Sequence, residues 1–216
     1  VTKNGVIKKT PASEYESIRK SGKIAITLKE GDELISIFKT TGNDNIFLAT
    51  RNGMAICFNE NDARAVGRTA SGVKAIDLAD GDYVVGAEPV REDSKVLLVT
   101  DGGYGKCTDL TSFRIQHRGG KGLKAYTITE KTGNIIGISM VNDSEELIMV
   151  TSEGVVIRIR IKDIATTTGR ITQGVRLINL NDGVIVVSMD KISAEDTVEE
   201  ESEENNTEVT AETTEE

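Results

Sequence analysis

Apolar residues in this chain come in short runs rather than in helical stripes. Residues 46–50, 96–100 and 147–151 are continuous apolar stretches, each followed by a glycine turn and a second run. Runs of that length suit strands, and unbroken apolar character predicts strands covered on both faces. After a further glycine the pattern becomes strict alternation. Ile26 and Leu28 flank Thr27, Ile76 and Leu78 flank Asp77, Tyr126 and Ile128 flank Thr127, and Ile178 and Leu180 flank Asn179. A fourth apolar run closes each unit at 34–38, 83–87, 135–138 and 184–187.

Three glycine series keep this period. Gly5, Gly53, Gly103 and Gly154 end a Val/Ala-Thr-x-x-Gly motif and lie 48, 50 and 51 residues apart. Gly22, Gly72, Gly122 and Gly174 precede the alternating segments, and Gly31, Gly81, Gly133 and Gly183 follow them. Asn4-Gly5 and Asn52-Gly53 supply the positive φ of a tight antiparallel hairpin. Four strands per repeat predict an all-β, propeller-like array of four-stranded blades with very little helix. The blades fall at about 1–40, 44–90, 94–141 and 144–192. The first is partial, because the apolar strand that precedes the hairpin in the other repeats is missing. The set therefore reads as incomplete at the N-terminus, a piece of a longer protein.

Charge changes the picture only when it is given positions. The 216 residues carry 26 Lys and Arg against 35 Asp and Glu, a formal net charge of -9. Residues 193–216 hold eleven of those acids and no Lys or Arg, which leaves 1–192 with 24 acids and a net of +2. So acidic and apolar-poor a segment cannot offset its ordering entropy, and it predicts a disordered tail. The chain has neither an apolar run of about eighteen residues nor a signal-peptide pattern, so the expected location is cytoplasmic, with no membrane contact. Cys57 and Cys107 sit four residues after Gly53 and Gly103. With one histidine they make neither a disulfide framework nor a metal site, and a core role is expected, with no cofactor in this chain.

The cations recur at one corner. The connection between the second and third strands carries Arg19, Lys20 and Lys23 in the first repeat, and Arg64, Arg68 and Lys74 in the second. In the third it carries Arg114, Arg118, Lys121 and Lys124 around His117, and in the fourth Arg170 and Arg176. These four stretches, 17–23, 63–74, 111–124 and 164–176, contain no Asp or Glu. The following turn is acidic instead, with Glu30, Asp32 and Glu33, then Asp77, Asp80 and Asp82. Equivalent corners of successive blades predict a curved cationic row, suited to a bent polyanion. Gly119 and Gly120 beside Arg118 and Lys121 form either a plain turn or a place where backbone amides approach phosphates. With 4% aromatic residues, base stacking is a poor recognition mode, which favours backbone contact to duplex DNA. The alternative from a different class is a protein-interaction scaffold whose basic rim is merely solvated.

Gln116-His-Arg-Gly-Gly-Lys-Gly122, Gly67-Arg-Thr-Ala-Ser-Gly-Val73 and Gly169-Arg-Ile-Thr-Gln-Gly-Val-Arg-Leu-Ile178 resemble segments of the C-terminal domain of the bacterial DNA gyrase A subunit. The resemblance extends over residues 1–192. It implies a β-pinwheel whose blades exchange hairpins and whose perimeter wraps duplex DNA. It also implies a parent type IIA topoisomerase, nucleoid-associated, that introduces negative supercoils. There the partners are an N-terminal breakage-reunion domain and a B subunit in an A2B2 enzyme, with ATP and magnesium used by the whole enzyme. The family's signature reads Gln-Arg-Arg-Gly-Gly-Arg-Gly. Here His117 and Lys121 depart from it, and the match lies in the next-to-last repeat, so 116–122 reads as a degenerate echo of that box, with Gln116, His117 and Gly119 to Lys121 carried over as DNA contacts. The catalytic tyrosine belongs to the breakage-reunion domain. Tyr15, Tyr83, Tyr104 and Tyr126 are expected to be structural, and the chain alone is expected to be inactive. The acidic tail reads either as a solubilising segment or, as acidic tails in the family imply, as a competitor with DNA for the basic rim.

Overall fold

The computed structural model describes residues 1–18 and 20–193. Arg19 and the segment 194–216, where the sequence predicts a disordered tail, lie outside the described residues. Each repeat starts from its threonine. Thr2, Thr50, Thr100 and Thr151 are buried, and each Oγ1 accepts the amide four residues on at 3.1–3.2 Å. The glycine amide three residues on donates to the threonine carbonyl at 2.9–3.1 Å. Only the glycine takes a positive φ, at 76°, 87°, 77° and 81°. The hairpin is thus a turn closed by one left-handed residue rather than an Asn-Gly pair with both residues at positive φ.

The first repeat contributes β1 (Val6–Ile7). The second contributes β2 (Asn45–Thr50), β3 (Met54–Asn59), β4 (Val73–Lys74) and β5 (Val84–Pro89). The third contributes β6 (Lys95–Thr100), β7 (Tyr104–Asp109), β8 (Leu123–Lys124) and β9 (Ile135–Val141). The fourth contributes β10 (Glu146–Thr151), β11 (Val156–Arg160), β12 (Thr166–Thr167), β13 (Val175–Arg176) and β14 (Val186–Ile192). Short 3-10 turns are the only helical segments among the described residues. No helix there is long and apolar enough to cross a membrane.

The four strands of one period do not make one blade. The sheets run β5-β2-β3-β8, then β9-β6-β7 with β12 and β13 both on β7, then β14-β10-β11, with β4 on β1. Each third strand therefore leaves its own repeat and pairs antiparallel with the second strand of the preceding one. The transfer is pinned twice. Gly5, Gly53 and Gly103 carbonyls each accept two amides, from Ala75 and Ile76, Ala125 and Tyr126, and Leu177 and Ile178. Gly72, Gly122 and Gly174 press so close that an added Cβ would stand 2.4–2.6 Å from a carbonyl oxygen of Ile7, Ala55 or Gly105. The ladder lasts two residues, and the alternating segments expected to be strands run on outside it.

Two places lack this exchange among the described residues. Residues 24–28 join no ladder, and the expected fourth strand of the first repeat is only a bridge between Thr2 and Leu34. Ile24 and Ile37 are 66% and 82% exposed there. At the other end β11 has β10 on one side only, and Val156 is 60% exposed.

The central strands explain their own apolar runs. Ile46 and Leu48 of β2 enter one core with Ile7 and Val84, whereas Phe47 and Ala49 enter the next with Leu98 and Tyr126. In β6, Val96 and Leu98 face that second core, and Leu97 and Val99 face a third with Leu147, Met149 and Val186. Each interblade layer is filled by adjacent repeats, at about 1.5–3 kcal/mol for each large side chain removed from water. Phe47 and Phe113 meet edge to face at 4.9 Å. Cys57 and Cys107 are buried in the second and third cores, and burial pushes both thiols up to about 11.

Candidate nucleic-acid interface

Strand exchange brings consecutive basic connections into contact. Residue 27, 77 or 127 donates its amide to the carbonyl of Ala70, Gly120 or Thr172 in the next repeat, at 3.4, 2.9 and 3.0 Å. The alternating segment that follows one basic connection is therefore bonded to the middle of the next connection at each of these three steps. Backbone hydrogen bonds thus tie successive basic connections together from repeat to repeat through the described residues.

The predicted residues then separate into two groups. Lys20, Arg64, Arg114, Lys121 and Lys124 are exposed, and no carboxylate lies within salt-bridge distance of Arg64, Arg114, Lys121 or Lys124 among the described residues. The ring of His117 is 98% exposed, with Nδ1 3.2 Å from Asp62 Oδ2. These side chains are available to a polyanion.

The others are engaged. Lys23 donates to the Glu14 carbonyl at 3.1 Å. Arg68, Arg118 and Arg170 each donate from Nη1 to a main-chain carbonyl of the preceding repeat, those of Ile24, Lys74 and Lys124, all at 3.0 Å. Arg176 places Nε and Nη2 on the Tyr104 hydroxyl at 3.1 and 2.9 Å and Nη1 on Asn179 at 2.9 Å. That guanidinium holds the Tyr104 phenol below its usual range. Gln116 is turned inward: its Nε2 is buried without a partner, and its main-chain amide donates to Cys57 at 2.8 Å. Gly119 has φ 80° and gives its amide to the Ala75 carbonyl at 2.6 Å, so that amide serves the neighbouring repeat. Gly120 is exposed, and its carbonyl accepts from Asp77.

Several participants carry no mark in the sequence. Lys106 is fully buried, with Nζ 2.5 Å from the Arg170 carbonyl, 3.1 Å from Thr172 Oγ1 and 5.3 Å from the centre of the Tyr126 ring. Burial lowers its pKa to about 8. Lys8, three residues after its hairpin glycine as Lys106 is, donates to the carbonyls of Ala25, Gly67 and Arg68. Burial and the nearby Arg68 charge lower its pKa, while Glu14 opposes that shift. Asp62 accepts from the Arg118 amide at 3.2 Å, and its carbonyl accepts from Arg118 Nε at 2.8 Å. Asp77, which the sequence groups with the acidic turn, pairs instead with Lys74 at 2.7 Å. The acidic corner has its own task, since Asp32 and Asp82 accept the hairpin amides of Asn4 and Asn52 at 2.9 and 3.0 Å.

Residues 1–41, 44–91, 94–142 and 145–193 each match the family described as "DNA gyrase C-terminal domain, beta-propeller". The DNA gyrase A subunit of Halalkalibacterium halodurans is 57% identical over 196 residues, covering 91% of this chain and 23% of that protein. Its counterpart in Clostridium acetobutylicum is 49% identical over 195 residues, covering 90% and 23%. Among solved structures, a C-terminal domain of DNA topoisomerase IV aligns with a TM-score of 0.86 and 29% identity, covering 96% of this chain and 65% of that one. A DNA gyrase A C-terminal domain aligns with a TM-score of 0.77 and 26% identity, covering 89% and 64%. The chain thus spans under a quarter of the length of these two curated relatives, 23% of each.

Proposed function

Because this chain belongs to the DNA gyrase C-terminal domain family, we propose that its row of basic connections binds duplex DNA and bends it around the blades, as part of a gyrase A subunit. The observation that carries the reading is the hydrogen-bonded succession of basic connections with Arg64, Arg114, Lys121 and Lys124 exposed along it. Contact is to phosphates, since the exposed groups are cations and the aromatic residues are few. In the parent A2B2 enzyme this chain supplies the DNA path for negative supercoiling. Strand cleavage falls to the breakage-reunion domain and ATP hydrolysis with magnesium to the B subunit. This sequence has no Gly-x-x-x-x-Gly-Lys-Ser/Thr loop of its own, the motif that cradles nucleotide phosphates.

The test is duplex affinity as a function of salt. Each neutralised phosphate adds about -0.9 to the logarithmic slope. Changing Arg64, Arg114, Lys121 and Lys124 to Ala is expected to remove about 0.9 for each that touches a phosphate. A slope near zero in the parent, or one unchanged by the four substitutions, favours the scaffold reading.

A further inference from the structure

The three arginines Arg68, Arg118 and Arg170 occupy one place in successive repeats, and their surroundings repeat with them. Each spans two repeats through Nη1, at the same 3.0 Å, to the carbonyl two residues beyond Gly22, Gly72 or Gly122. Each also meets the residue nine positions after the preceding hairpin glycine, or has a neighbour that does. Arg68 Nε lies 3.7 Å from Glu14, and Arg118 donates from Nε to the Asp62 carbonyl at 2.8 Å while its main-chain amide donates to the Asp62 carboxylate. In the last step Ser112 stands at that position and donates to the Thr168 carbonyl at 2.9 Å. The main chain of Arg68 and of Arg170 is held from below by Lys8 and Lys106. In the middle step Ile56 replaces that lysine, and the Gly119 amide on Ala75 holds the connection instead.

We infer that Arg68, Arg118 and Arg170 are positioning residues: latches that fix the spacing between neighbouring basic connections, leaving phosphate contact to the exposed cations beside them. This rests on the DNA-binding reading above and assigns roles within it. A planar guanidinium suits the task because its fork can reach in two directions, as in Arg68 to the Ile24 carbonyl and the Glu14 carboxylate and in Arg118 to the carbonyls of Lys74 and Asp62. A lysine keeps the charge, but its three donors radiate from a single nitrogen on a flexible stem and lack the rigid planar fork. Three members of the basic row are thereby drawn toward the protein, whereas Arg64 and Arg114, four residues before Arg68 and Arg118, are exposed.

The decisive step is the one between the second and third repeats. Spin labels attached at Arg64→Cys and Arg114→Cys report the separation of two connections without DNA, and the buried native thiols of Cys57 and Cys107 react slowly by comparison. The parent is expected to give one narrow distance, and both Arg118→Gln and Arg118→Lys a broadened or shifted one. An unchanged distribution in the lysine variant, which retains charge and is the less disruptive to folding, overturns the latch. On unlabelled protein and a short duplex, Arg118→Gln is expected to leave the salt slope unchanged, and a fall of about 0.9 overturns the assignment by making Arg118 a phosphate contact. On a duplex of about 150 bp with dyes at its ends, both variants are expected to lose the end-to-end approach that the parent produces. A parent that binds no duplex sinks the proposed function, while the label distances still decide whether the latch exists.

Discussion

Lys106 shows how far one side chain can depart from the role its charge suggests. It is fully buried in β7 and its two hydrogen-bond acceptors, the Arg170 carbonyl and Thr172 Oγ1, are both neutral. A neutral amine still has two hydrogens for them, so deprotonation keeps the contact and removes a buried charge. With a folded pKa near 8 and an unfolded value of about 10.4, the unfolded chain binds the extra proton between those limits, and stability rises with pH across that window. Relative to Lys106→Met, the parent is expected to gain up to about 1.4 kcal/mol per unit from pH 8 to 10, read by denaturant unfolding. A difference flat in pH means the ammonium is solvated. The basic corner was legible in the sequence as a set of cations; which of them face outward was not. Arg64 and Arg68 read alike along the chain, and only the neighbouring repeat's Ile24 carbonyl and Glu14 separate them.

At the scale of the element, the third strand carries the architecture on two residues. Gly122 combines φ 74° with an approach that puts an added Cβ 2.4 Å from the Ala55 oxygen, whereas Gly22 has the same φ and open space around it. Gly122→Ala is expected to cost at least about 2 kcal/mol, from left-handed strain plus displacement of the exchanged strand, and Gly22→Ala about 1 kcal/mol from strain alone. Equal losses by thermal unfolding would show that the exchange contributes little. The hairpins and the central strands could be read from the period because Thr-x-x-Gly and unbroken apolar runs are local signals. The exchange could not be read from spacing, since alternation records which face is covered and is silent on whose strand covers it. The resemblance supplied that feature. The segments 24–28 and 34–38 carry strand patterns without ladders, because pairing needs a neighbour that a pattern cannot provide.

At the scale of the molecule, charge decides how the chain meets a polyanion. Residues 1–192 carry +2 and the whole chain -9, so under the proposed DNA-binding function the acidic segment is expected to oppose DNA approach unless salt screens it, over about 8 Å at physiological ionic strength. Ending the chain after Ile192 is expected to tighten duplex binding at low salt and to matter progressively less as salt rises. Identical affinities at low salt would mean the segment does not reach the basic row. Net charge alone pointed away from nucleic acid, and only its division along the chain made the candidate interface legible.

The exchange of third strands also bears on how such a molecule can change over generations. Every step presents the same donor, a glycine followed by a two-residue strand, and the same acceptor, a hairpin whose glycine carbonyl takes two amides. A duplication or deletion one period long therefore keeps the glycine donor and the hairpin acceptor of these three steps in register. The unequal spacings of 48, 50 and 51 residues show that length varies without disturbing the fit. A change in repeat number is therefore expected to lengthen or shorten the array by whole exchanged units, and the basic connections with it.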